Sequence, residues 1–285
     1  MNQQAFESGK RAYQEADWLR AVTLLDGAKR VLPSSTEAIE EALAAGRHVA
    51  ICSGRCPAMV EVSRDELAGI RYAICGSGTS LYDLDERRLL WETRLDHDAL
   101  VRILDACEGT DCLLEPFVGS SFLFESDALE RMPGFGLGVY VESYRRAGRP
   151  AEDMRALLRN PRTHVQKINV HFRDEATRER VRALVSDLGL GLVDFETASL
   201  EFSPTEANKG TGMLALAELL GVPREATMAV GDADNDLPML RDAGLGVAMG
   251  NANERVRAAA DVVVADNDHG GVAEAIRTYL LGSAH

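Results

Sequence analysis

The stretch MAVGDADNDLPML (228–240) decides how the rest of the chain is read. An apolar run suited to a buried strand leads straight into three closely spaced carboxylates, Asp232, Asp234 and Asp236, and then into a helix-compatible segment. Ligands of open α/β sheets bind at the carboxyl ends of the strands, so these carboxylates stand where chemistry is expected. Magnesium favours such donors, taking one or two carboxylates and completing its shell with water and substrate phosphate. A calcium loop begun at Asp232 is excluded, because Leu237 stands where that loop needs glycine and Ala243 where it needs glutamate. The competing reading is a strand-to-helix turn in which an aspartate only caps the helix.

Working outward, strand and helix patterns alternate. On the C-terminal side we expect a helix over 209–220 ended by Gly221 and Pro223, strand 227–232, helix 235–243, strand 245–249, helix 252–259, strand 262–265 and helix 270–281. On the N-terminal side AVTLL (21–25), a helix from Thr36 to about Ala45, HVAIC (48–52), a helix near 57–67 and RYAIC (71–75) form a βαβαβ pattern, which implies a parallel sheet. Ser34 and Glu37 have capping-box spacing, and Gly46 stops the helix. After residue 83 the rhythm changes to β-rich runs such as CLLEPFVG, SFLFES and VQKINVHF with fewer helices. One helix there is clear, within 174–188, with Asp174 at its start, Gly189 at its end, and Arg178, Arg180 and Arg182 read as a solvated face. The simplest division is an N-terminal extension (1–19), an α/β core (20–83 and 204–285) and an inserted α+β module (84–203).

Composition narrows the possible partners. Lys and Arg number 31 against 45 Asp and Glu, for a net charge of −14, which argues against nucleic acid as a partner. An acidic chain binds a small phosphate only by focusing a few cations or backbone N–H groups on it. Residues 1–19 carry no continuous apolar core, so no membrane association is expected and the cytoplasm is the default location. The five cysteines lack the spacing of a zinc site or a disulfide framework, and Cys52 and Cys75 each end an apolar run as small hydrophobes. GSGTSL (76–81) and GFGLGV (134–139) lack the third glycine of a dinucleotide loop, which disfavours an oxidoreductase.

Two further segments suit a phosphate. ICSGR (51–55) ends a strand, and there Ser53 offers a hydroxyl and Gly54 with the following N–H groups faces a helix opened near Pro57; the alternative is a capping serine. NKG (208–210) begins a helix with Lys209, a position the helix dipole disfavours for a cation unless an anion requires it; the alternative is a solvated surface lysine.

Together, Ser53, Lys209 and GDADND resemble motifs two, three and four of the haloacid dehalogenase-like (HAD) phosphatase superfamily. The segment from GDADNDLPML through GGVAEAI resembles the C-terminal signature of its Cof-type subfamily, and the insertion, with KINV (167–170), resembles that subfamily's large α/β cap. The resemblance implies a Rossmann-like parallel-sheet core with an inserted cap, and hydrolysis of phosphate esters through an aspartyl-phosphate with magnesium. By the same resemblance Ser53, Gly54, Lys209 and Asn235 would hold the phosphate, Asp232 and Asp236 would serve the metal, and cap residues would select a small phosphorylated metabolite, a sugar phosphate first. Cap positions such as Tyr140, Tyr144, Arg145 and Lys167 fit core, surface or pocket equally well. The sequence leaves the oligomeric state open.

One part of the pattern is missing. The family opens with D-x-D-G-T at the end of the first strand, whereas this chain reads AVTLLDGAKRVLPSST (21–36). Aligning Asp26-Gly27 with the second half of the motif puts Leu24 in the nucleophile's place. Aligning the downstream residues instead leaves the motif excised between Thr23 and Leu24. If AVT (21–23) remains the central strand, Leu24 stands at its catalytic end either way, and a leucine neither forms a phospho-enzyme nor donates an oxygen to magnesium. Asp26 is the nearby carboxylate that could serve as acid/base, or else it is an Asp-Gly turn residue. The expectation is a phosphatase scaffold with its ordinary catalysis disabled or strongly impaired, or a non-catalytic phosphate-ester-binding or regulatory protein.

Overall fold

The computed structural model describes residues 24–27, 30–67 and 69–282. Most of the expected first strand (21–25) lies outside them. The chain is mixed α/β and divides into two compact units, one spanning Thr93–Thr205 and the other built from the segments that end at Glu92 and resume at Glu206.

The segmented unit opens with a helix, Pro33–Ala44. It begins three residues before the expected Thr36, and the capping box does not form: Leu32 is the N-cap and no side chain caps the helix. Pro33 decides this, since its fixed φ suits the first helical position and its missing N–H is not needed there. The sheet that follows runs β1 (Ala50–Cys52), β2 (Tyr72–Cys75), β3 (Ser80–Asp83) and β4 (Arg88–Glu92) in that order, with β1 parallel to β2 and the remaining pairs antiparallel. The change of rhythm at residue 83 is therefore a hairpin inside this unit: Leu81 pairs with Trp91 and Asp83 with Arg88, which keeps β4 here.

The inserted unit contains β5 (Cys112–Val118), β6 (Ser121–Glu125), β7 (Arg149–Ala151), β8 (Lys167–Phe172), β9 (Leu190–Phe195) and β10 (Ser199–Pro204), in the spatial order β7-β6-β5-β8-β10-β9. Because side chains alternate along a strand, its two faces differ. Leu114, Ile168, Val170, Phe172, Leu200 and Phe202 join one apolar core. Glu115, Lys167, Asn169, His171 and Ser199 are buried polar residues on the other face. Tyr140 and Tyr144 are buried, whereas Arg145 is exposed and paired with Glu142. The helix Glu175–Leu184 is capped by Asp174, which accepts from Thr177 N. Its arginines are not simply solvated: Arg178 and Arg182 both pair with Asp194 of β9.

The segmented unit resumes with β11 (Met228–Gly231), β12 (Leu245–Ala248) and β13 (Val262–Val263), a wholly parallel sheet in that order. The helix Lys209–Leu219 precedes these strands, and the helices Leu237–Asp242 and Glu254–Ala259 separate them. Val247, Met249 and Val264 pack in one cluster with Ala38, Ile39 and Ile70 from the N-terminal segment, which joins the two segments across a shared core. No helix among the described residues is long and apolar enough to cross a membrane.

Candidate functional site

The acidic stretch folds as a strand that turns sharply into a helix. β11 ends at Gly231, where a Cβ would come within 2.5 Å of Asp236 Cβ, so only glycine permits the turn to fold back so closely. Asp236 closes the turn: its Oδ2 accepts from Asp232 N and Ala233 N, both at 3.0 Å. Its Oδ1 receives Lys209 Nζ at 2.5 Å, and both side chains are buried. Asn235 Oδ1 lies 3.5 Å from the same ammonium.

Lys209 is the first residue of its helix and is not a solvated surface lysine. Asn208 caps the helix by accepting from Gly210 N and Thr211 N, and Thr211 Oγ1 returns to accept from Asn208 N, a reciprocal capping box. The cap is pinned from outside by the loop between β2 and β3. Gly78 adopts φ +101°, and a Cβ there would stand 1.9 Å from Asn208 O. The glycines of GSGTSL thus serve a close backbone contact. Burial opposes charge on Lys209, yet the neighbouring Asp236 carboxylate overrides it and raises the ammonium above its ordinary value; Cys52 and Asp232 act in the same direction.

β1 delivers Ser53 to this neighbourhood. Ser53 is buried, its N–H donates to Ile74 O (2.8 Å), and its Oγ accepts from Arg55 N (3.2 Å). Gly54 passes close to the hydroxyl of Ser77, which a Cβ would approach to 3.2 Å. The preceding Cys52 senses both charges of the buried pair. Its thiol is pushed up to about 12 by burial, with Lys209 pulling it down and Asp236 pushing it further up. Cys52 and Met213 of the Lys209 helix both pack against the cluster of Ile74, Leu81 and Leu216.

Asp232 is half-buried, and its Oδ2 accepts from Asn251 Nδ2 at 3.2 Å. Asn251 Oδ1 in turn accepts from Asn267 N (3.2 Å), while Asn267 Nδ2 donates to Leu25 O (2.9 Å). These two asparagines link the carboxylate at the end of β11 to Leu25, the last residue of the expected first strand. Sequence reasoning missed both, although GNAN follows β12 and ADND follows β13, at the carboxyl ends of strands in the same parallel sheet.

At Leu25 the chain forms a tight loop, with Leu25 and Val31 in an antiparallel bridge. Asp26 is buried. Its N–H donates to Arg30 O (2.8 Å), its Oδ1 accepts from Arg30 N (2.9 Å), and its Oδ2 lies 3.4 Å from the Arg30 guanidinium. Gly27 N donates to Asp268 Oδ1 at 2.6 Å. Leu24 is half-buried and packs against the apolar cluster of this unit.

No group of three His, Cys, Asp or Glu among the described residues is arranged to hold a metal ion. Asp236 spends its oxygens on Lys209 and two amides, which leaves Asp232 as the carboxylate placed for an ion, whereas magnesium demands a near-octahedral shell. The described residues do not fit a resident magnesium by themselves.

The fold and the strand-end site define a class, the α/β proteins whose ligands bind at the carboxyl ends of parallel strands. Within it, the chain belongs to the haloacid dehalogenase-like hydrolase family, whose model matches residues 22–276. It is 29% identical to a phosphatase of Bacillus subtilis, YwpJ, over 90% of this chain and 96% of that protein. It is 28% identical to the pyridoxal phosphate phosphatase YbhA of Escherichia coli, covering 91% and 96% of the two chains. Among solved structures, a haloacid dehalogenase-like hydrolase from B. subtilis superimposes with a TM-score of 0.74 at 27% identity, covering 90% of this chain and 96% of that one. Phosphatases of this family generally use magnesium.

Proposed function

We propose that the chain binds a small phosphate ester at the end of its parallel strands and that the ordinary covalent hydrolysis of its family is disabled or strongly impaired. The observation that carries this reading is the pairing of a buried, charge-held Lys209 with a leucine where the nucleophile belongs. Lys209, Ser53, Gly54 and Asn235 supply what phosphate binding needs, a fixed cation and short polar groups. Leu24 supplies no oxygen to attack phosphorus, and its packing against apolar neighbours gives it a structural part. Asp26, bound to Arg30, serves the local turn, which favours the Asp-Gly turn reading over acid/base work.

Asp236 acts here as the anchor of Lys209 rather than as a metal ligand. The substrate class is a small phosphorylated metabolite, with sugar phosphates the first to test and pyridoxal phosphate suggested by the E. coli relative. The residues Thr93–Thr205 take the part of a substrate-selecting cap. The cytoplasm remains the proposed location.

Calorimetric titration with a hexose phosphate, with and without magnesium, tests the reading. Saturable binding that Lys209→Met weakens, without phosphate release, is expected. A flat titration in the presence of magnesium would overturn it.

A further inference from the structure

The turn GSGT (76–79) between β2 and β3 carries a strained residue whose side chain the fold does not use. Gly76, Ser77 and Gly78 stand in succession at φ +59°, +60° and +101°. The left-handed region is open to glycine, whereas a serine there is held against the preference of its Cβ. Two neighbouring segments fix this conformation. Gly76 N donates to Arg55 O at 2.8 Å and Ser77 N to Ser53 O at 2.9 Å, which ties the turn to the loop after β1. Gly78 lies against the start of the Lys209 helix, where a Cβ on Gly212 would come within 2.8 Å of Gly78 Cα. The backbone of Ser77 is therefore set by the same two segments that carry Ser53 and Lys209.

The side chain stands apart from this clamp. Within 73–84 every residue is buried except Ser77, which is half-buried. Its Oγ lies over Gly54, 3.2 Å from where a Cβ would stand on that glycine. The hydroxyl makes no hydrogen bond to any of the described residues. A glycine at this position would form the same turn without strain, as Gly76 and Gly78 do on either side. Strain kept for a side chain with no bond inside the protein points to a partner outside it.

We propose that Ser77 is a further binding residue of the strand-end site, its hydroxyl donating to a phosphoryl oxygen of the ester held beside Gly54. The proposal rests on the phosphate-ester reading given above. Ser53 immediately precedes Gly54 and Ser77 lies over it, so hydroxyls from two separate strand ends converge on one glycine. Ser53 Oγ already accepts from Arg55 N at 3.2 Å, whereas the Ser77 hydroxyl is uncommitted and reachable from solvent. A hydroxyl donating to an ionised oxygen forms the stronger, charge-assisted kind of hydrogen bond. In a chain of net charge −14 a neutral donor of this kind adds to the cation that Lys209 supplies.

The test is calorimetric titration of the full chain with inorganic phosphate and with a hexose phosphate, magnesium present, for wild type, Lys209→Met, Ser77→Ala and Ser77→Gly. Ser77→Ala removes the hydroxyl and keeps the strained φ; Ser77→Gly removes both. We expect both Ser77 variants to bind each ligand about tenfold more weakly than wild type, the size of one hydrogen bond to a charged group, with the native circular dichroism retained. Wild-type affinity in both Ser77 variants, beside a weakened Lys209→Met, would overturn this proposal and leave the phosphate-ester reading standing. Weakening in Ser77→Ala alone, in step with a lowered urea midpoint, would also overturn it, because the effect would then belong to the turn and not to the hydroxyl. A loss confined to the hexose phosphate would rule out contact with the phosphoryl group. A flat wild-type titration would overturn the phosphate-ester reading and this proposal with it.

Discussion

Replacing Asp236 by alanine tests the central electrostatic arrangement. The carboxylate meets Lys209 Nζ at 2.5 Å and accepts two backbone N–H groups at 3.0 Å, all within a buried turn. Its removal strands a buried ammonium, which in comparable cases costs about 3–5 kcal/mol because the remaining charge keeps its desolvation penalty. The two amides lose their acceptor as well, so the loss should fall in the upper part of that range. Asp236→Asn keeps an acceptor for the amides but turns an NH2 donor toward Lys209, so it should recover only the part of the deficit that the amides contribute. Adding Lys209→Met to Asp236→Ala removes the stranded charge, and the double variant should recover a coupling of at least about 1 kcal/mol. Urea unfolding followed by circular dichroism measures all three, provided the m-value is unchanged. The pH dependence has a definite sign. Burial disfavours charge on Lys209, but Asp236 holds its folded pKa above the ordinary value. The pair's stabilisation is therefore complete below the unfolded lysine pKa of about 10.4 and is lost as pH rises through the folded value. In Asp236→Ala burial is opposed only by Cys52 and Asp232, the lysine neutralises more readily, and the deficit should shrink as pH is raised. A loss below about 1 kcal/mol, the ordinary size for a point substitution, would refute this reasoning.

The other expectations concern the surrounding residues. Asn267→Ala removes the donor to Leu25 O and the partner of Asn251; it should cost about 1–3 kcal/mol for the orphaned groups and speed hydrogen exchange at Leu25 and Gly27, read by mass spectrometry. Gly78→Ala places a Cβ against Asn208 O at a left-handed φ, so a loss of at least about 1–3 kcal/mol is expected in the same urea assay. Lys209→Met should weaken hexose phosphate binding by about 1.5–3 kcal/mol, roughly tenfold to over a hundredfold, in calorimetry. Inserting Asp-Leu-Asp-Gly-Thr after Thr23 should restore magnesium-dependent phosphate release; a folded but inert insertion variant would count against the assignment of Leu24.

Strand ends were legible because apolar runs stopping at Asp232 and Ser53 have few other places to stand in an α/β sheet. The helix start at Lys209 was legible from its cation in an unfavourable dipole position, and the buried Asp236 partner explains why it is tolerated. What the sequence concealed were partnerships between distant residues. Asn251 and Asn267 look like ordinary loop asparagines until the sheet places one beside Asp232 and the other beside Leu25. No one-dimensional pattern reveals that the oxygens of Asp236 face an amine and two amides. The capping spacing at Ser34 lost to Pro33, whose ring fixes the helix start earlier than any side-chain bond would.

The most direct test of the account is phosphate release from a hexose phosphate and from pyridoxal phosphate, measured with magnesium on the intact chain beside a Lys209→Ala, Asp232→Ala control. Release no greater than the control, from a chain that binds the same ester in calorimetry, is the predicted result. Magnesium-dependent release well above the control, abolished by those substitutions, would contradict it and would require another group to do the work that Leu24 cannot.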